Sequence, residues 1–397
     1  MAGADRQSGV SRPTVRKSVG AGPTTGGRPI GQGMRSDLPP RYRLPLLVLG
    51  FIALGLGVEA GLARLGWNVP LPYPGLTALH GPLMVSGFFG TLISLERAVA
   101  LSKRWAYGAP LFTALGAMAL ILGAAETPST ILITLGSLVM LSASLSVYRR
   151  QRALFTATLA LGAAAWLVGN ALWVAGLGMA KIVPWWAAYL ILTIAGERLE
   201  LSRFLPPSGA ARRLFTVIIA LFIASLLLAD IAPTTGHILL APVLLALALW
   251  LARYDIARRT MREHGLTRFI ALSLLSGYAW LAIAALVGLF DGGMFSRATY
   301  DATLHAVFLG FVFAMVFGHA PIILPSVTRI SLPYRPAFYL HLALLHLSLI
   351  CRLAGDLLGR PEWRSIGGLL NAVTLALFVL NTLAAVATGL LTKAGTR

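Results

Sequence analysis

Residues 265–290 read GLTRFIALSLLSGYAWLAIAALVGLF, and Arg268 is the only charged residue among them. At a rise of about 1.5 Å per residue, a helix of this length crosses the roughly 30 Å hydrocarbon core of a lipid bilayer. A helix that is apolar on every side also needs an apolar environment on every side. The stretch therefore predicts a transmembrane helix.

Similar apolar stretches recur from residue 44 almost to the end of the chain. The 397 residues are 57% hydrophobic and 12% charged, with a mean hydropathy of +0.78, which leaves too little polar surface for a water-soluble globule. The predicted fold is therefore all-α and polytopic, with the lipid bilayer as its solvent. The twelve predicted spans are 44–66, 74–101, 107–125, 128–148, 153–178, 182–204, 212–230, 235–253, 265–290, 301–324, 336–358 and 366–391.

The formal charge of +19, from 33 Lys and Arg against 14 Asp and Glu, would suggest a nucleic-acid partner in a soluble protein. Here the basic residues are concentrated in alternate loops, which predicts the orientation of the chain in the membrane. No nucleic-acid partner is expected. By the positive-inside rule, the basic tail before residue 44 and the alternate basic loops lie in the cytoplasm, with both chain ends. The expected location is a bacterial inner membrane. The basic loop residues are Lys103/Arg104, Arg149/Arg150/Arg152, Arg203/Arg212/Arg213, Arg253/Arg258/Arg259/Arg262, Arg329/Arg335 and Lys393/Arg397.

The chain divides into one transmembrane domain and two tails. Residues 1–43 are rich in Gly, Arg, Ser and Pro and lack the apolar segment of a signal peptide, so they predict a disordered basic cytoplasmic tail. Residues 44–391 form the transmembrane domain, and 392–397 form a cytoplasmic C-terminal tail. With Cys351 as its one cysteine, the chain has no C-x-x-C-H attachment motif, so any haem is expected to be bound non-covalently.

Short motifs recur at an offset of four spans. Ala-Trp-Leu at 165–167 in the fifth span returns at 279–281 in the ninth, and Ala-Leu follows each at the same spacing. We therefore predict three repeated units of four helices. The other matches are the Glu-Arg pairs at 96–97 and 197–198 and the Gly-Phe pairs at 87–88 and 310–311.

Two histidines lie at similar depth, near the outer ends of the second and tenth spans. His80 and His305 are on separate helices, and two imidazoles that approach from opposite sides are what a six-coordinate haem requires. The alternative is that each histidine only bonds to a neighbouring helix. We predict a haem b held by His80 and His305, and the outer-side candidates for its propionates are Arg297, Tyr300 and Trp67.

A second group of ionisable residues lies in the inner half of the predicted bundle. Glu96, Glu197 and His319 occupy matching places in the three units, and His341 enters the membrane at comparable depth. Carboxylate and imidazole ligands together favour a transition metal, here copper, iron or zinc. The alternative is that the carboxylates pair with the arginines that follow them directly.

The stretches around His80, His305 and His319 resemble parts of a known protein family. The stretch from Leu79-His80-Gly81-Pro82 to Gly87-Phe88-Phe89, and the later His305, Gly310-Phe311 and Gly318-His319-Ala320, resemble the histidine-bearing helices of NnrS-type proteins. NnrS-type proteins are twelve-span haem- and copper-containing membrane proteins linked to nitric oxide response and denitrification. The chain is also similar, more distantly, to subunit I of the haem-copper oxidases. There, twelve helices form three arcs of four, and a bis-histidine haem lies between the second and tenth.

The resemblance implies that His80 and His305 are axial ligands, but it has departures. The oxidases place two ligand histidines close together on the tenth helix, whereas His305 and His319 are about 21 Å apart along a helix axis. The sixth span offers Glu197 where a copper ligand would be expected, and the seventh has no histidine. A proton-pumping oxygen reductase is therefore not expected.

The leading functional hypothesis is a b-type haem protein that acts on, or responds to, nitric oxide or a related small redox molecule. Its expected partners are that diatomic or redox ligand and an electron donor, and an enzyme of this kind would be an oxidoreductase. One alternative is a proton-coupled secondary transporter, which would also have internal repeats and buried Glu and His. Another is a non-enzymatic membrane sensor. An optical spectrum of the purified protein separates the haem hypothesis from both.

Overall fold

The computed structural model describes residues 37–202, 207–295 and 299–395, and within them it is helical with no strand. The all-α polytopic fold predicted from the sequence is confirmed. Most of the predicted N-terminal tail, and Arg297, lie outside the described residues. The main helices are α1 Pro40–Arg64, α2 Pro74–Leu101, α3 Gly108–Ile121, α4 Glu126–Arg150, α5 Leu154–Val174, α6 Met179–Leu201, α7 Gly209–Ile231, α8 Pro233–Tyr254, α9 Gly265–Phe290, α10 Tyr300–Thr328, α11 Phe338–Leu357 and α12 Pro361–Gly395.

Each of these helices corresponds to one predicted span. Eleven are long and apolar enough to cross a membrane, and α3, at 14 residues, is the exception. A 3₁₀ turn at Arg104–Tyr107 leads directly into α3. With rises of about 1.5 and 2.0 Å per residue in the two helix types, turn and helix together span about 29 Å. We therefore treat α3 as a twelfth crossing.

The three helices at the centre of the bundle are α2, α6 and α10. The buried share of their most apolar 18-residue window is 61%, 83% and 72%, and no other candidate span in the described chain exceeds 50%. These are the second helices of the three predicted four-helix units. Equivalent helices thus face one shared interior, as a threefold repeat requires, and they carry most of the candidate site residues.

Both α2 and α10 contain a π-helical segment beside a candidate ligand. The segments are Leu83–Gly90, which begins three residues after His80, and Ala306–Phe313, which follows His305 directly. They coincide when Gly87 is aligned with Gly310, as in the predicted repeat. A π segment widens the helix and changes the direction in which the neighbouring side chains point. Such segments occur often at functional sites.

Twelve crossings place both ends of the described chain on one side of the membrane. We call this side the N-terminal face, because α1 begins there, and the other side the opposite face. The charge distribution predicts that the N-terminal face is cytoplasmic. Reporters fused near residue 20 and after Arg397 are expected to read as cytoplasmic, and one inserted after Phe290 as periplasmic. Reporters that place the two chain ends on different sides would contradict twelve crossings.

Candidate functional site

A cavity of about 610 Å³ lies in the half of the bundle toward the opposite face. Its walls come from the end of α1, the start of α2, parts of α6 and α10, the end of α11 and the start of α12. The volume falls within the range of small-molecule and cofactor sites in proteins. His80 on α2 and His305 on α10 both line this cavity, as does Tyr300.

The imidazole rings of His80 and His305 are nearly parallel, with an interplanar angle of 14° and centroids 6.4 Å apart. A direct hydrogen bond between two ring nitrogens would require centroids only about 5 Å apart. Imidazole nitrogens bind first-row metal ions at about 2.0–2.1 Å, so two imidazoles on opposite sides of one ion place their centroids about 6.2–6.4 Å apart. The observed spacing is compatible with two imidazoles that bind the same ion.

Hydrogen bonds at the far side of each ring determine which nitrogen faces the cavity. Nδ1 of His80 lies 2.7 Å from the carbonyl oxygen of Gly57, and Nδ1 of His305 lies 2.8 Å from that of Asp301. Because a carbonyl oxygen only accepts, each Nδ1 carries the proton and donates. Each Nε2 therefore keeps the lone pair that binds a metal ion, and both rings are held in orientation.

Gly61 on α1 leaves the space that the His80 ring occupies. A Cβ atom added at Gly61 would lie 2.8 Å from both Cε1 and Nδ1 of His80, closer than real side-chain contacts allow. The Gly57 carbonyl that binds Nδ1 lies on the same helix, one turn earlier. The two glycines of α1 thus set how closely the imidazole approaches and how it is oriented.

A charged cluster surrounds the second histidine. Arg352 is only 6% exposed and donates to Oδ2 of Asp301 from Nε at 3.2 Å and from Nη2 at 2.8 Å. The same Oδ2 lies 3.4 Å from Nδ1 of His305. Arg364 approaches the other oxygen of Asp301 at 3.5 Å and pairs with Asp356 at 3.0 Å. His305 therefore has a carboxylate beside it, whereas the Nδ1 of His80 bonds to a neutral carbonyl.

These residues fit a haem in both its iron ligands and its acidic groups. Arg64, Arg352 and Arg364 line the cavity at the end nearer the opposite face. Arg352 and Arg364 are paired with Asp301 and Asp356, and Arg64 could pair with a propionate. Sequence reasoning missed all three, although Arg352 is an arginine within a predicted span and such residues usually mark function. Of the propionate candidates predicted from the sequence, Tyr300 lines the cavity, whereas Trp67 donates instead to the Ser365 carbonyl at 3.3 Å.

The second group of predicted ligands lies toward the N-terminal face. Glu96, Glu197 and His319 line one small cavity of about 70 Å³. Arg97 forms an ion pair with Glu197. His319 donates from Nδ1 to the Met315 carbonyl at 2.8 Å, which leaves Nε2 to accept from Nη1 of Arg198 at 3.3 Å. Two of the three candidate ligands, Glu197 and His319, are thus already bonded to arginines.

His341 does not join this group. Its ring contacts those of Phe269, Phe317, Phe338 and Phe378, and it is 2% exposed. The Asn381 amide nitrogen lies 3.2 Å from Nδ1, and because that amide only donates, Nδ1 accepts and Nε2 carries the proton. The buried Nε2 makes no hydrogen bond within the described residues, and in this tautomer it has no free lone pair for a metal.

The structure does not group Glu96, Glu197, His319 and His341 around one point, and it favours the alternative in which the carboxylates pair with arginines. Among the described residues, no group of three or more His, Cys, Asp or Glu is arranged to hold a metal ion. The sequence matched depth along the helix axes, but His341 faces the aromatic side chains of α9, α10, α11 and α12. Glu197 and His319 are bonded to Arg97 and Arg198, and Glu96 lines the same small cavity.

We expect elemental analysis of the purified protein to find no stoichiometric metal other than haem iron. Glu197→Gln and His319→Gln are expected to leave the metal content unchanged, because these two side chains are already bonded to Arg97 and Arg198. His264→Gln, in an exposed loop, is the matched control. If the wild type binds copper, iron or zinc and both cavity variants lose it, the predicted metal site exists.

Two comparisons with known proteins bear on this chain. A family model described as "Domain of unknown function (DUF8744)" matches residues 43–387, which is nearly the whole membrane domain. A search of the curated proteins finds no match.

Proposed function

We propose that this chain, which belongs to the family described as Domain of unknown function (DUF8744), is a membrane protein that binds one b-type haem between His80 and His305. The observation that carries the proposal is the geometry of the two rings, with centroids 6.4 Å apart and planes 14° apart. Two protonated Nδ1 atoms, each bonded to a carbonyl, leave two lone pairs for the iron. Because the sequence has no C-x-x-C-H motif, the haem would be bound non-covalently.

His80 and His305 would hold the haem, which would supply a one-electron redox couple. The chain holds the rings in one orientation through α1 and α10, and apolar side chains such as Val85, Phe89 and Leu309 keep water from the macrocycle. The carboxylate of Asp301 lies beside His305, where its charge makes that imidazole a stronger donor to the iron. These features favour electron transfer over binding of a substrate at the iron.

We propose that this haem protein acts on, or responds to, nitric oxide or a related small redox molecule. This part of the proposal rests on the resemblance of the His80 and His305 helices to NnrS-type proteins. Because two histidines fill both axial positions, a diatomic ligand has to displace one of them or react elsewhere. The electron donor is expected to approach from the opposite face, where the arginine-rich end of the cavity lies.

The proposal is tested by spectroscopy of protein purified in detergent from haem-sufficient cells. We expect about one non-covalent haem per chain, with the optical spectrum of a low-spin, six-coordinate b-type haem. Nearly parallel axial imidazole planes also give a rhombic low-spin EPR signal, whereas perpendicular planes give a strongly anisotropic one. A folded but colourless protein, or a haem that is high-spin and five-coordinate, would contradict the proposal.

A further inference from the structure

A second sizeable cavity, of about 540 Å³, lies at the N-terminal face where α8 is connected to α9. Four arginines line it: Arg253, Arg258, Arg259 and Arg262. All four side chains are exposed, and none forms an ion pair within the described residues. The cavity therefore concentrates positive charge that the protein itself leaves unbalanced.

The one acidic residue in the lining, Asp255, does not neutralise these arginines. Its carboxylate accepts from Arg198 at 2.7 and 3.0 Å, from the hydroxyl of Tyr278, and from the backbone nitrogen of Ala257 at 2.8 Å. Asp255 is 6% exposed and its charge is used within the bundle. An anion in the cavity would face four guanidinium groups and a carboxylate that is already paired.

The cavity lies at the level of the lipid headgroups. Helix α8 ends at Tyr254, and the rings of Trp250 and Tyr254 lie 5.2 Å apart in its last turn. Aromatic residues at the end of a span mark the interface between hydrocarbon and water, and lipid phosphates lie just outside the hydrocarbon core. Arg253 directly precedes Tyr254 and the other three arginines follow it within eight residues, so all four lie where they can reach the phosphate layer.

We propose that this cavity binds the headgroup of an anionic phospholipid, with cardiolipin, which carries two phosphates, as the preferred ligand. Guanidinium groups donate paired hydrogen bonds that match phosphate oxygens. Four arginines around one cavity can neutralise two phosphates, whereas a single-phosphate lipid leaves part of their charge uncompensated. The proposal is independent of the haem, which lies toward the opposite face.

The test compares two triple variants of equal charge. Arg258→Gln/Arg259→Gln/Arg262→Gln removes three charges from the cavity, and Arg149→Gln/Arg150→Gln/Arg152→Gln removes three exposed charges at the end of α4 on the same face. Binding of cardiolipin, phosphatidylcholine and soluble pyrophosphate to detergent-purified protein is measured by native mass spectrometry and by thermal unfolding.

We expect cardiolipin to bind and to raise the unfolding temperature of the wild type and of the α4 variant, and phosphatidylcholine to do neither. The cavity variant is expected to bind cardiolipin roughly 100-fold more weakly, because each of the three arginines contributes about fivefold. An unfolding temperature equal to that of the wild type in the absence of lipid shows that this variant is folded. Equal cardiolipin affinity in the two variants would overturn the proposal, and stabilisation by pyrophosphate as strong as that by cardiolipin would overturn the lipid assignment.

Discussion

His80→Gly and His305→Gly are each expected to abolish the low-spin, six-coordinate haem spectrum. Either change removes one axial ligand, and the remaining imidazole alone holds a five-coordinate, high-spin haem or none. Losing a residue that only orients a metal ligand typically costs about 10- to 100-fold in affinity, so losing the ligand itself is expected to cost at least as much. The haem-to-protein ratio and the optical spectrum of the purified variants measure the effect.

Added imidazole separates loss of a ligand from general damage to the fold. A glycine in place of His80 leaves a cavity that free imidazole can enter, and we expect millimolar imidazole to restore the low-spin spectrum. His264→Gly, in an exposed loop, is the control and is expected to behave as wild type. If both ligand variants keep a six-coordinate spectrum without added imidazole, His80 and His305 are not the axial pair.

Gly61→Leu is expected to displace the His80 imidazole and to lower haem affinity by about 10- to 100-fold. The ring cannot easily move away from a new side chain, because the Gly57 carbonyl holds its Nδ1 at 2.7 Å. Gly55 lies on the same helix and meets nothing within 4 Å of an added Cβ. Gly55→Leu is therefore the matched control and is expected to keep haem at the wild-type level. Haem titration of the two apoproteins compares them directly.

The contrast between the two glycine variants depends on the relative positions of α1 and α2. If Gly61→Leu binds haem as tightly as Gly55→Leu, then Gly61 does not lie against the His80 ring and the cavity has another shape. A rise in the high-spin fraction of Gly61→Leu, with some haem retained, would show that the ring has moved off the iron. Thermal unfolding of the two haem-free variants checks that both retain the same fold.

The sequence alone predicted twelve spans with boundaries within a few residues of the observed helices, and eleven of these helices are long and apolar enough to cross a membrane. It also predicted the depth of each ionisable side chain. Hydrophobic length sets where a helix enters and leaves the bilayer, and depth follows at a fixed rise per residue. This is why His80 and His305 could be paired from the sequence. Arg364, by contrast, was not among the predicted site residues, yet it lines the cavity and pairs with Asp301.

Rotation about the helix axes was decided only by the tertiary structure. Helices that are apolar on nearly every side carry little sequence information on which side faces a neighbour, because lipid and protein interior are similarly apolar. His341 therefore matched the depth of His319 but faces aromatic rings, and nothing in the chain separates Gly61 from Gly55 until α1 packs against α2. The depth of a side chain depends on one helix alone, whereas the meeting of several side chains at one site depends on how several helices are rotated and packed.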